Sequence, residues 1–183
     1  RLGRLALHEV LSKIDQEDPA FFCLRQPRLL QHLQVVVEHG APSSSLDLVY
    51  SSLALHYLPH ITPLLTCVYQ ALTPGGTLLF SAEHPIYTAP LKQGWQEDEQ
   101  GQKSWPVSHY QQEGERISNW FADGVKKQHR TLGSWINALV AAGFVIECLN
   151  EWGPTAEQIA ANPALDEEKE RPMIFILRAR KPT

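Results

Sequence analysis

Two short apolar runs on either side of one helix-period stretch constrain this chain more than any other feature. Leu46-Asp47-Leu48-Val49-Tyr50-Ser51-Ser52 reads as a strand closing on small hydroxyl residues, and Thr77-Leu78-Leu79-Phe80-Ser81-Ala82 reads as a second strand. Between them Ile61, Leu64, Leu65, Val68 and Leu72 recur at helical spacing, which predicts a helix from about Pro59 to Leu72. Pro74-Gly75-Gly76 should stop that helix, because Pro cannot extend it and Gly permits the backbone to reverse. A strand, a helix and a strand in such quick succession form a crossover unit, whose strands pair in parallel. The second run is apolar almost throughout, as a strand covered on both faces should be. The fold class that follows is α/β.

Beyond Ala82 the alternation lapses. Glu83 to Arg130 reads as a long irregular stretch that holds Trp95, Trp105 and Trp120 together with His84, His109 and His129. Structureless stretches of this length are commonly lids or binding loops. Residues 84–130 are therefore expected to be an insertion or lid within one domain spanning 1–183. Regular structure resumes where Thr131 suits an N-cap, Leu132, Trp135, Ile136, Leu139 and Val140 make an apolar face, and Gly143 ends the helix. Phe144–Leu149 reads as a strand, 155–171 as a helical connector punctuated by Pro163, and 173–180 as the last strand. The charge run Asp166-Glu167-Glu168-Lys169-Glu170 reads as a solvated helix face.

The opening residues are less clear. Leu2, Leu5, Ala6, Val10, Leu11 and Ile14 form an apolar stripe with no capping residue before it, so the helix reads as already in progress and sequence upstream of Arg1 is expected. A second helix over 27–33 and a strand at Val35-Val36-Val37 follow, closed by Gly40-Ala41-Pro42-Ser43-Ser44-Ser45. With 16 Lys+Arg against 20 Asp+Glu the net charge is −4, which sets the chain against nucleic acid and anionic membrane surfaces as partners. Cys23, Cys67 and Cys148 form no C-x-x-C pair, so a disulfide framework is excluded and a reducing cytoplasm fits. No apolar run approaches the roughly 20 residues that a membrane helix needs. His84, His109 and His129 lie at least 20 residues apart with no carboxylate or cysteine at ligand spacing, so no metal is expected. The absence of a G-x-S-x-G elbow disfavours a serine hydrolase.

Several segments together carry a family resemblance. They are L-D-L-V-Y-S-S-L-A-L-H-Y-L at 46–58, A-L-T-P-G-G-T-L-L-F-S at 71–81, S-A-E-H-P-I-Y-T-A-P at 81–90, and a helix ending A-A-G-F at 141–144. Asn119-Trp120, Lys127-Gln128-His129-Arg130-Thr131-Leu132 and Glu151-Trp152-Gly153-Pro154-Thr155 continue the series. In this order and spacing, residues 46–181 resemble the C-terminal two thirds of a class I S-adenosylmethionine-dependent methyltransferase of the type 11 group. The resemblance implies a Rossmann-like sheet, mostly parallel with a final antiparallel strand, and S-adenosylmethionine as cofactor. Such enzymes hold the cofactor with a glycine-rich loop after the first strand and an acid after the second. No G-x-G occurs here, so that motif and the first strands are expected to be missing. Asp15 stands as a weak substitute for the ribose-binding acid and Glu38 for an adenine-contacting one. In the family sheet the 46–52 strand lies beside the first strand, so its loss would bare a buried-type edge at Leu48-Val49-Tyr50. Upstream sequence, residues 1–40, or pairing in a homodimer would have to cover that edge.

Methyl transfer from a sulfonium is an in-line displacement of an already activated leaving group, so the protein chiefly aligns the reactants and excludes water. A strong catalytic constellation is not required, although an acceptor that carries a proton needs a base. Ligands of open α/β sheets bind beyond the carboxyl ends of the strands. The resemblance therefore implies that Ser51, Ser52, Leu53 and His56 line the methionine side of the cofactor; the alternative is that Ser51 and Ser52 only cap the next turn and His56 packs locally. His84 is the candidate base or substrate contact, since imidazole titrates near neutral pH, the alternative being that it only hydrogen-bonds a loop carbonyl. Glu83, Tyr87, Trp120, His129 and Arg130 are the candidates for facing a small-molecule substrate. The same tryptophans also read as the loop's own small core, with Trp120 the best suited to binding. A catalytically inactive remnant serving as a binding or dimerisation module is the alternative function. A nucleotide-dependent oxidoreductase is weaker, since its glycine loop is missing too.

Overall fold

Leu46–Ser52 forms strand β1 in the computed structural model, which describes residues 43–118 and 124–183. The expected helices and strand before residue 40, Asp15, Glu38 and the Asn119-Trp120 pair all lie outside the described residues. A 3-10 turn at Leu55–Tyr57 leads to helix α1, Thr62–Ala71, which buries Leu64, Leu65, Val68 and Ala71 along one stripe. Strand β2, Leu72–Glu83, follows with no intervening loop. The helix thus starts later and the strand earlier than the sequence predicts. Pro74-Gly75-Gly76 lies inside the strand as a bulge. Leu46 pairs with Leu72 but Leu48 with Thr77, and Gly75 absorbs the extra length at φ +79°. Thr73 Oγ1 fastens the bulge to Asp47 Oδ1 at 3.0 Å.

The stretch read as irregular contains a short helix α2, Pro85–Thr88, and two hairpins. Their strands are β3, Gln96–Glu97, with β4, Lys103–Ser104, and β5, Gly114–Ser118, with β6, Val125–His129. Helix α3, Leu132–Ala141, is capped by Thr131, whose hydroxyl accepts from the Ser134 amide. It buries Trp135 and Leu139, whereas Val140 is 56% exposed. At 100° per residue Val140 falls outside the narrow stripe centred on those two residues. Strand β7 covers Val145–Glu151, and helix α4, Ala156–Ala161, begins in a reciprocal capping box between Thr155 and Gln158. A 3-10 segment, Pro163–Lys169, precedes strand β8, Ile174–Arg180.

The four long strands lie in the order β1-β2-β8-β7. β1 and β2 pair in parallel, and β8 runs antiparallel to both β2 and β7. Three strands therefore share one direction and the last opposes them, as the resemblance implies. Phe80 of β2, Phe175 of β8 and Trp135 of α3 meet at ring-centroid separations of 5.6–5.8 Å and anchor the core. No helix among the described residues is long and apolar enough to cross a membrane.

Candidate active site

The carboxyl ends of β1 and β2 are bound together by polar groups. Beyond Ser52 the backbone turns sharply: Leu53 has φ +47°, a left-handed conformation that bulky residues rarely adopt. The turn points the Leu53 amide at β2, where it donates to the Ser81 carbonyl at 3.0 Å and the Ser81 hydroxyl at 3.1 Å. The Ser52 and Ser81 hydroxyls lie 3.4 Å apart. The 3-10 turn then returns His56 to the end of β2, where its Nδ1 accepts from the Glu83 amide at 3.3 Å. Tyr50–His56 and Ala82–His84 thus converge.

Glu83 and His56 are the centre of this junction. Glu83 is 4% exposed and His56 2%, with His56 Nε2 3.9 Å from Glu83 Oε1. Lys127, brought in by β6 and 1% exposed, donates to Glu83 Oε1 at 2.5 Å. Burial pushes the His56 imidazole down to about 4; Glu83 opposes this and Lys127 and Arg130 reinforce it. Burial, aided by Glu83, raises the Tyr87 hydroxyl to about 12. Three buried atoms have no hydrogen-bond partner here: Ser51 Oγ, His56 Nε2 and Glu83 Oε2. Buried polar atoms left unpaired are uncommon and call for an explanation.

The other candidates are already engaged. His84 caps α2, its Nδ1 accepting from the Ile86 amide at 3.1 Å, while its Nε2 lies 2.7 Å from Glu151 Oε1. Burial lowers its pKa, and Glu151 opposes that shift. His129 is enclosed as well, with Nδ1 2.8 Å from Thr88 Oγ1 and Nε2 2.9 Å from the Tyr110 carbonyl. Arg130 donates to the Leu58 and Pro59 carbonyls and lies over the Trp135 ring. It also borders a cavity of about 370 Å³ shared with His60, Thr62, Glu113 and Ser134. Tyr87 stacks on Trp105, and Trp95 meets Trp105 edge-on. Arg171 lies against all three rings, 4.2 Å from the Trp105 centroid.

Sequence reasoning left out Lys127 and Arg171. Lys127 enters the sequence reading only within the Lys127–Leu132 motif of the resemblance, with no role assigned; had β6 been recognised as a strand, its alternation would have turned Lys127 and His129 to the same inner side. Nothing in the sequence singled out Arg171.

Residues 13–80 match the profile of a family described as a methyltransferase domain. A crystal structure of an S-adenosylmethionine dependent methyltransferase from Mesorhizobium loti is 48% identical, with a TM-score of 0.76 over 80% of this chain and 67% of that one. A candidate S-adenosylmethionine dependent methyltransferase from Listeria monocytogenes is 34% identical, with a TM-score of 0.70 over 81% of this chain and 67% of that one. An uncharacterized protein from Haemophilus influenzae is 36% identical over 155 residues, or 83% of this chain. The chain spans 60% of the length of that curated relative.

Proposed function

The chain belongs to the S-adenosylmethionine-dependent methyltransferases, and on that premise we propose that it methylates a small-molecule acceptor beyond the carboxyl ends of β1 and β2. The observation that carries this reading is the set of three buried, unpartnered atoms, Ser51 Oγ, His56 Nε2 and Glu83 Oε2. Leaving a buried polar atom unpaired costs about 1–3 kcal/mol, a penalty that a bound ligand would relieve. A serine hydroxyl suits the carboxylate at the amino-acid end of S-adenosylmethionine. Ser51, Ser52 and Leu53 would hold that end, with His56 standing between cofactor and acceptor. The cofactor supplies a methyl group on positively charged sulfur, so these residues need only align it and keep water out. Glu83 would face the acceptor. Tyr87, His84, His129 and Arg130 would shape the acceptor side, with residues 84–118 and 124–130 as its cover. A net charge of −4 favours a small acceptor over a polyanion, and the unpaired cysteines fit a cytoplasmic setting.

Calorimetric titration with S-adenosylhomocysteine tests this reading. Micromolar binding is expected, with Ser51→Ala weakening it by about threefold to tenfold, the worth of one neutral hydrogen bond. No heat at millimolar ligand would overturn the proposal in favour of an inactive remnant.

A further inference from the structure

Glu83 uses only half of its carboxylate. Oε1 accepts from Lys127 Nζ, whereas Oε2 is buried with no hydrogen-bond partner. His56 is its mirror image. Its Nδ1 accepts from the Glu83 amide, which leaves the hydrogen of the neutral ring on Nε2, and Nε2 also has no hydrogen-bond partner. A buried acceptor without a donor therefore stands beside a buried donor without an acceptor. The other imidazoles of this region, His84 and His129, have both ring nitrogens engaged.

One atom that carries both a hydrogen and a spare lone pair satisfies the two together. A hydroxyl oxygen does so: its hydrogen points to Glu83 Oε2, one lone pair accepts from His56 Nε2, and the second remains to attack carbon. A neutral amine nitrogen has a single lone pair and cannot both accept from His56 and attack. A carboxylate takes up a proton most readily from an acidic hydroxyl, so a phenol or enol fits better than an alkyl alcohol.

We propose that the acceptor is a phenol- or enol-type hydroxyl, that Glu83 Oε2 receives its proton, and that Lys127 is the positioning residue that leaves Oε2 available by occupying Oε1. The inference rests on the methyltransferase reading above. As the acceptor oxygen forms its bond to the methyl carbon, the donor's carbon–sulfur pair returns to sulfur. The O–H bond breaks, its electron pair stays on oxygen, and the proton moves to Glu83. The sulfonium and the carboxylate each end neutral, and Lys127 keeps its charge.

The test supplies S-adenosylmethionine and ring-matched phenols, anilines and thiophenols to the full chain and measures S-adenosylhomocysteine release. Infrared difference spectra on adding a phenol to the S-adenosylhomocysteine complex follow the Glu83 carboxylate directly. Turnover of phenols is expected, with a carboxylate band change that Glu83→Gln abolishes. Glu83→Gln should lower kcat by about 100-fold or more while S-adenosylhomocysteine affinity stays within threefold. Because Glu83→Gln takes away the buried carboxylate that Lys127 contacts, Glu83→Gln/Lys127→Met removes both charges and should fold, bind S-adenosylhomocysteine and remain slow. Lys127→Arg should retain more turnover than Lys127→Met. Methylation confined to anilines or thiophenols, or a Glu83→Gln kcat within threefold of the parent, would overturn the inference. So would the absence of both phenol turnover and a carboxylate change in a chain that binds S-adenosylhomocysteine. Failure of the unaltered chain to bind S-adenosylhomocysteine removes the methyltransferase reading itself and this inference with it.

Discussion

His56 sits where burial and hydrogen bonding demand the same protonation state. Its Nδ1 accepts from the Glu83 amide, a role that a neutral ring fills and an imidazolium cannot. Burial lowers its pKa from 6.5 to about 4, and Lys127 and Arg130 add to that against the opposing pull of Glu83. The consequence for stability has a definite sign. Below pH 6.5 the unfolded chain binds a proton that the folded one refuses, so the stability present above 6.5 drains away as pH falls and is fully lost near pH 4. A shift of that size corresponds to roughly 3 kcal/mol. His84 and His129 are also lowered by burial, so they steepen the loss in the same direction. Urea unfolding at steps from pH 7.5 to 4 should show the midpoint falling through this window, and His56→Gln should flatten the curve by about the His56 share.

Among the elements, α3 shows local chemistry agreeing with tertiary structure. Thr131 accepts the Ser134 amide at 3.1 Å to cap the helix, and its own amide and hydroxyl both donate to Glu113 Oε1, at 2.7 and 2.9 Å. The cap therefore also secures the residue just before β5. Thr131→Ala should cost about 1 kcal/mol in chemical denaturation, whereas Thr131→Ser, which keeps the oxygen, should lose little; equal losses would mean that the methyl group and not the cap matters. This helix, the crossover pair and the closing strands were legible because their buried positions are apolar. The β5–β6 hairpin was not, because its inward positions are Arg116, Ser118, Lys127 and His129, while Ile117 faces out at 59% exposure. Its two-residue alternation is present but inverted in polarity, and a search for alternating apolar residues passes over it. The candidate site was half legible for the same reason. Ser51, Ser52, His56 and Glu83 follow recognisable strands, while Lys127 enters from the unrecognised hairpin.

At the scale of the molecule, one arginine joins segments that are distant in the chain. Arg171 stands just before β8, 5% exposed, and its guanidinium holds Glu168 through two hydrogen bonds of 2.7 and 3.2 Å. The same group lies over Trp105, Tyr87 and Trp95, so the 163–171 segment is clamped onto the Tyr87–Trp105 part of the insertion. The acidic run before it reads as a solvated face, and most of it is exposed; Glu168 is the buried exception, for which a run of charges gives no cue. Removing one partner of a buried pair costs more than the pair contributes, because the other charge stays buried and uncompensated. Arg171→Ala should therefore destabilise the chain by roughly 3–5 kcal/mol and alter the fluorescence of Trp95 and Trp105, which lose their cation. Arg171→Met with Glu168→Leu removes both charges and keeps apolar bulk against the rings, so it should recover most of the loss. Limited proteolysis separates the clamp from a purely local defect. If Arg171 holds the insertion in place, cleavage between Leu91 and Gln112 should accelerate in Arg171→Ala under conditions where the sheet remains folded. Unchanged cleavage there, with stability lost all the same, would mean that Arg171 secures only its own segment.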